Sequence, residues 1–131
     1  MRKFGLLLAL ACVLLVGCAA PGRVSTLDSA NGGMPAAYHG KIDDMLVDLR
    51  ALLIRFFPYA EPEFVDEGRV KGYRLAAHLK FMFVPVKGLT DKGATVDAYA
   101  FEIFNAYGPP IYYYKKLKPE LDAKYPLVRV K

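Results

Sequence analysis

The chain has 131 residues, room for one domain and too few for two. Apolar residues make up 54%, enough for a buried core, while a formal charge of +5 is too mild to point to a nucleic-acid partner. Both cysteines, Cys12 and Cys18, sit in or at the edge of the leading apolar run, which excludes disulfide cross-links and a Cys-based metal site from the rest of the chain.

Met1-Arg2-Lys3 is a short positive start, and Phe4 to Val16 is an apolar stretch. As a helix, that stretch would span roughly 20 Å, less than the ~30 Å hydrocarbon core of a bilayer. The pattern predicts a secretory signal peptide over residues 1–17 rather than a permanent span. Removing Arg2 and Lys3 from the 18 basic side chains leaves 16 against 13 acidic ones, a net charge of about +3.

Leu15-Val16-Gly17-Cys18, at the end of that run, resembles the lipobox of bacterial lipoproteins. The resemblance implies a diacylglycerol on the Cys18 sulfur, cleavage between Gly17 and Cys18, and acylation of the new amino group. Cys12 follows Leu10-Ala11 inside the continuing apolar run and has no such context. Each buried CH₂ contributes about 0.8 kcal/mol, and one chain alone binds marginally, so two or three chains on Cys18 would hold the protein permanently. Ala19 stands after the cysteine where an Asp would imply inner-membrane retention. The implied location is thus the outer membrane, periplasmic face. In a source with one membrane the domain would sit on the outer surface of the cytoplasmic membrane.

Residues 18–38 carry small, polar, Gly- and Pro-bearing sequence without strand or helix periodicity and read as the lipidated cysteine followed by a flexible tether. A coil of about 18 residues has a root-mean-square reach of roughly 25 Å. Residues 39–131 read as a single globular periplasmic domain.

In GKIDDMLVDLRALLIRFF, the residues Ile42, Met45, Leu46, Leu49, Leu52, Leu53 and Phe56 form one stripe of an amphipathic helix. Asp43 and Asp44 suit its first turn, and Pro58 stops it. The polar face is not rich in Lys and Arg, so packing on the domain's own sheet is favoured over lying on a membrane. Glu61, Glu63, Asp66 and Glu67 follow, without a cation-loop signature, and read as a solvated loop.

GYRLAAHLKFMFVPV alternates as one long strand, KGLTDKG as a turn and ATVDAYAFEIFNAY as a second strand forming a hairpin with the first. IYYYKKL reads as a third strand and YPLVRVK as a fourth. The expected fold is mainly β with one helix: an N-terminal amphipathic helix packed on a small antiparallel β-sheet or β-sandwich of at least four strands.

His39 and His78 are not spaced as a ligand pair, Ser25, Thr26 and Ser29 lie in the tether, and no phosphate-cradling loop is present. No catalytic residue, metal site or cofactor is expected, and the chain reads as a non-enzyme. Binding is more open. Residues 42–67 hold seven acids and two bases, and residues 69–131 hold twelve bases and five acids, so a basic sheet face is one expectation and an ordinary solvated face the other. Tyr112, Tyr114, Lys115, Lys116 and Lys118 form the candidate binding patch, with Tyr112 and Tyr114 on one strand face; a Tyr-rich strand filling the core is the bland alternative. Two functions follow. The first is a non-catalytic, lipid-anchored envelope protein, an accessory or structural subunit docking on a membrane or secretion assembly. The second is a binding module for cell-wall glycan or an anionic ligand, using surface Tyr and Lys. The partners expected are the membrane, through acyl chains on Cys18, and an envelope protein, with no nucleic acid.

Overall fold

The computed structural model of the chain describes residues 22–28 and 34–131. The stretch expected as a signal segment, Cys12, and Cys18, the expected site of lipid attachment, lie outside the described residues. In chain order the elements are β1 (Gly22–Ser25), β2 (Ala36–His39), α1 (Ile42–Phe56), β3 (Glu63–Glu67), β4 (Val70–Leu75), β5 (Leu79–Leu89), β6 (Thr95–Asn105), α2 (Ile111–Lys124) and β7 (Leu127–Val130). The fold is mainly β, and the seven strands join in one antiparallel sheet.

The hairpin β5–β6 is the spine, paired without interruption from Leu79↔Asn105 to Leu89↔Thr95. Partners in an antiparallel ladder point to the same face. Phe81 therefore stands beside Ile103, and Phe83 beside Phe101 with ring centroids 5.4 Å apart. This face, with Tyr73, Leu75 and Val24 from the neighbouring strands, is the floor of the core. The stripe of α1 packs on it: Met45, Leu46, Leu49, Leu52 and Leu53 are all buried. Each such side chain contributes about 1.5–3 kcal/mol on leaving water. Tyr114, Leu117 and Leu121 of α2 complete the cover.

The edges of the hairpin change partners along its length. Near its open end, β4 lies along β5, with β3 outside β4, while β1 lies along β6. Toward its turn, β2 pairs with β6 at Tyr38↔Tyr99 and β7 pairs with β5 at Leu89↔Arg129. β2 and β7 also pair with each other, at Ala37↔Val128 among others. The hairpin thus curls until its edges meet through β2 and β7, closing a four-stranded ring. Small side chains permit the curl: a Cβ on Gly88 would stand 2.5 Å from Val128 Cγ2 and 3.2 Å from Ala98 Cβ.

Several segments depart from the sequence reading. Strand β1 lies inside the stretch 18–38 expected as tether, and β2 begins inside it and ends at His39. Long β6 offers a backbone edge that a four-residue strand can pair with whatever its side-chain pattern. Thr26 then fixes the register, donating its N–H to the Phe101 carbonyl at 3.0 Å and accepting the Phe101 N–H on Oγ1 at 3.0 Å. The stretch expected as one long strand is two, β4 and β5, joined through Ala76-Ala77-His78, where Ala76 takes φ +58°. The acidic stretch expected as a loop holds edge strand β3, with Val65 buried and Glu63, Asp66 and Glu67 exposed. Charged side chains on an exposed edge disfavour pairing with another chain. IYYYKKL, expected as a strand, begins helix α2, so the domain has two helices rather than one.

Candidate functional site

α2 decides what the expected binding patch becomes. Pro109-Pro110 stands just ahead of it, and Pro geometry suits a helix start. Tyr114, Leu117 and Leu121 recur at i, i+3 and i+7 and bury one stripe. Pro119 lies inside the helix and lacks the N–H that would reach the carbonyl of Lys115. Lys115 is exposed, so water is at hand for that carbonyl.

On a helix the three tyrosines fan out about 100° apart instead of alternating between two faces. Tyr112 is 59% exposed, Tyr113 is half-buried, and Tyr114 is 4% exposed. Tyr113 meets the rings of Phe57 and Phe81 edge-on, at 5.4 and 6.0 Å between centroids. The expected patch is therefore split. Tyr114 is core, and Lys118 turns to Asp122 at 2.7 Å. Tyr112, Lys115 and Lys116 stay outside.

Tyr112 and Lys116 instead join a groove of about 400 Å³ where the end of α1, the start of α2 and the β4–β5 turn converge. Its other main walls are Phe56, Tyr59, His78 and Leu75. Lys116 Nζ lies 5.1 Å from the Tyr112 ring centroid and 5.7 Å from that of Phe56. Such cation–π contacts contribute roughly 0.5–1 kcal/mol at exposed sites and hold the ammonium at the groove's rim. Aromatic walls with one cation suit a flat apolar or weakly polar ligand group, such as a partner's side chain or a sugar face. Sequence reasoning missed Phe56 and Tyr59; the signal was the run Phe56-Phe57-Pro58-Tyr59, aromatic rings gathered where a helix stops.

Two tyrosine–carboxylate clamps fix the helices behind the groove. Tyr38 is 0% exposed and donates its hydroxyl to Asp122 Oδ1 at 2.6 Å, tying β2 to α2. Burial, and then the Asp122 carboxylate, push its pKa far above the ordinary tyrosine value. Tyr125 donates to Asp48 Oδ2, and Lys124 reaches the other oxygen at 3.2 Å, tying the end of α2 to α1. Burial, with Asp48 next, likewise holds the Tyr125 phenol protonated. These are structural contacts that keep both helices on the sheet.

His39 and His78 are set apart. His39 pairs with Ala98 near one end of β6, its Nδ1 3.1 Å from the Asp97 carbonyl. His78 lies at the other end, its ring 4.6 Å from that of Tyr107. Among the described residues no three His, Cys, Asp or Glu side chains gather as a metal site, and no helix is long and apolar enough to cross a membrane. The basic sheet face is interleaved with acids: Lys80 pairs with Glu67 at 2.9 Å, Arg23 with Glu102 at 3.3 Å and Lys87 with Asp97 at 2.5 Å. The Lys87 hydrogen bond holds the Asp97 carboxyl below its usual range. No protein-family model matches the chain, and no curated protein or solved structure matches it either.

Proposed function

We propose that this chain is a non-catalytic, lipid-anchored protein of the bacterial envelope, an accessory subunit that docks on a larger membrane or secretion assembly. Leu15-Val16-Gly17-Cys18, at the end of a charged start and an apolar run, carries the reading. The separation of His39 from His78 supports a binding role over a catalytic one. The aromatic groove supplies the docking place. The anchor belongs to the outer membrane, periplasmic face, by the residue that follows the cysteine, Ala19.

A second reading, a module that binds cell-wall glycan, draws on the stacking faces of Tyr59 and Tyr112 beside Lys116. Two experiments test these readings. Mass spectrometry of the purified protein is expected to show a chain beginning at Cys18 with acyl mass, and Cys18→Ser is expected to leave the precursor uncut. A mature species that begins elsewhere and carries no acyl group refutes the anchor. Cross-linking in native membranes from a photo-reactive residue at position 59 or 112 is expected to trap one defined envelope protein. Binding to isolated peptidoglycan that is lost in Tyr59→Ala/Tyr112→Ala transfers the function to the second reading.

A further inference from the structure

We propose that the end of the domain where residue 22 enters the sheet lies against the lipid surface, with Phe104, Tyr107 and Ile111 in the bilayer interface and Lys115 over its headgroups. The inference rests on Cys18 being the acylated residue. Gly22 pairs with Asn105, at the open end of the β5–β6 hairpin. A Cβ on Gly22 would stand 2.5 Å from both the Gly108 carbonyl oxygen and the Pro109 Cα, so the chain enters wedged against the turn between β6 and α2. Cys18 precedes Gly22 by only four positions, which at full extension reach at most ~14 Å. A domain of about 100 residues has a radius of gyration of roughly 13 Å and is therefore about twice as wide as that tether is long. The short connection thus selects one end of the domain as the end nearest the lipid.

That end has the side chains a lipid interface takes. Tyr107 is 75% exposed, Ile111 41% and Phe104 36%. Single exposed apolar residues are ordinary, but these three fall within eight consecutive positions around the entry point. Tyrosine is enriched where one end of the ring is wet and the other apolar, as at headgroup depth. Residues 104–119 contain three lysines and no acid. Lys115 follows Ile111 by one helical turn, so a cation borders the apolar side chains. The acids beside Phe104 on the sheet are paired: Glu102 with Arg23, and Glu67 with Lys80, which stands opposite Phe104. A cationic border on an apolar patch complements anionic lipid.

The chain has no tryptophan, so single tryptophans report position without background. Tyr107→Trp and Ile111→Trp probe the proposed face. Leu127→Trp probes the far end of the hairpin, where Leu127 pairs with Tyr38. Each acylated mature protein is reconstituted into phosphatidylglycerol-containing vesicles with and without brominated acyl chains. Bromine is expected to cut emission about twofold or more at 107 and 111 and to leave 127 unchanged, as interfacial burial requires. Equal emission at all three sites, in protein whose mass confirms the acyl groups on Cys18, overturns this proposal and leaves the anchor reading standing. Absence of acyl mass overturns the anchor reading and this proposal with it. Absence of quenching in vesicles, together with a protein cross-link from position 107 in native membranes, assigns the face to a protein partner and also overturns it.

Discussion

Tyr38→Phe removes one oxygen from a side chain that is fully enclosed, and its effect can be worked out in advance. The hydroxyl donates to Asp122 Oδ1 at 2.6 Å. A hydrogen bond to a charged partner contributes ~1.5–3 kcal/mol. Asp122 keeps Lys118 Nζ at 2.7 Å, and its side chain is 34% exposed, so water replaces the lost donor. The expected cost is therefore toward the lower end, about 1–2 kcal/mol. At about 4 °C per kcal/mol for a domain near 100 residues, the Tm falls by about 4–8 °C. The pH dependence gives a second check. Burial and Asp122 raise the Tyr38 pKa above its ordinary value of 10.0. Above that pH the unfolded chain releases a proton that the folded chain keeps. The unfolded state then binds fewer protons, so stability drops as pH rises, at ~1.4 kcal/mol per pH unit. Below pH 10 the contribution is complete. Tyr125, whose pKa is also raised, acts on wild type and variant alike. Urea melts of both proteins at pH 8, 10 and 11 are expected to show a gap that is widest at pH 8 and narrows by about 1 kcal/mol between pH 10 and 11. A gap below about 0.5 kcal/mol at pH 8, or one that stays constant through pH 11, refutes the reasoning.

Other outcomes follow from the same packing. Tyr114→Ala is expected to cost about 3–5 kcal/mol in a urea melt, whereas exposed Tyr112→Ala stays within about 0.5 kcal/mol; equal costs would contradict the placement of α2. Ala76→Gly relieves a left-handed backbone at φ +58° and is expected to raise stability by about 0.5–1 kcal/mol, read from the shift in denaturation midpoint. Gly88→Ala pushes a methyl group toward Val128 and Ala98 inside the ring and is expected to cost about 1–3 kcal/mol, with a variant as stable as wild type refuting the tight closure.

The elements with strong periodicity were legible from the sequence. The stripe from Ile42 to Phe56 is the buried side of α1, because burial and helical spacing impose the same pattern. β6 was legible because Tyr99, Phe101 and Ile103 alternate with smaller or polar residues. α2 was not, since three tyrosines in a row carry the composition of a strand and Pro119 argues against a helix. The opposing signal is the spacing of Tyr114, Leu117 and Leu121 behind Pro109-Pro110. β1 and β2 were illegible for another reason: their pairing is supplied by β6, and Gly22–Ser25 or Ala36–His39 alone has no alternation to detect. The break at Ala76 has no composition signal, because alanine rarely adopts that backbone region. The candidate patch is split because its segment is a helix: Tyr114 is buried, while Tyr112 and Lys116 line the groove.

The ring has a consequence for how the chain matures. Its closing strands, β2 and β7, come from distant parts of the sequence, and the entropy of bringing them together must be met before their hydrogen bonds form. The neighbouring hairpins close shorter loops and are expected to assemble first. Until Leu127–Val130 docks, β2 and the turn half of β5 present bare edges, onto which a second copy can donate its own β7. The choice between a self-contained monomer and an exchanged dimer thus rests on how quickly those four residues find their own chain.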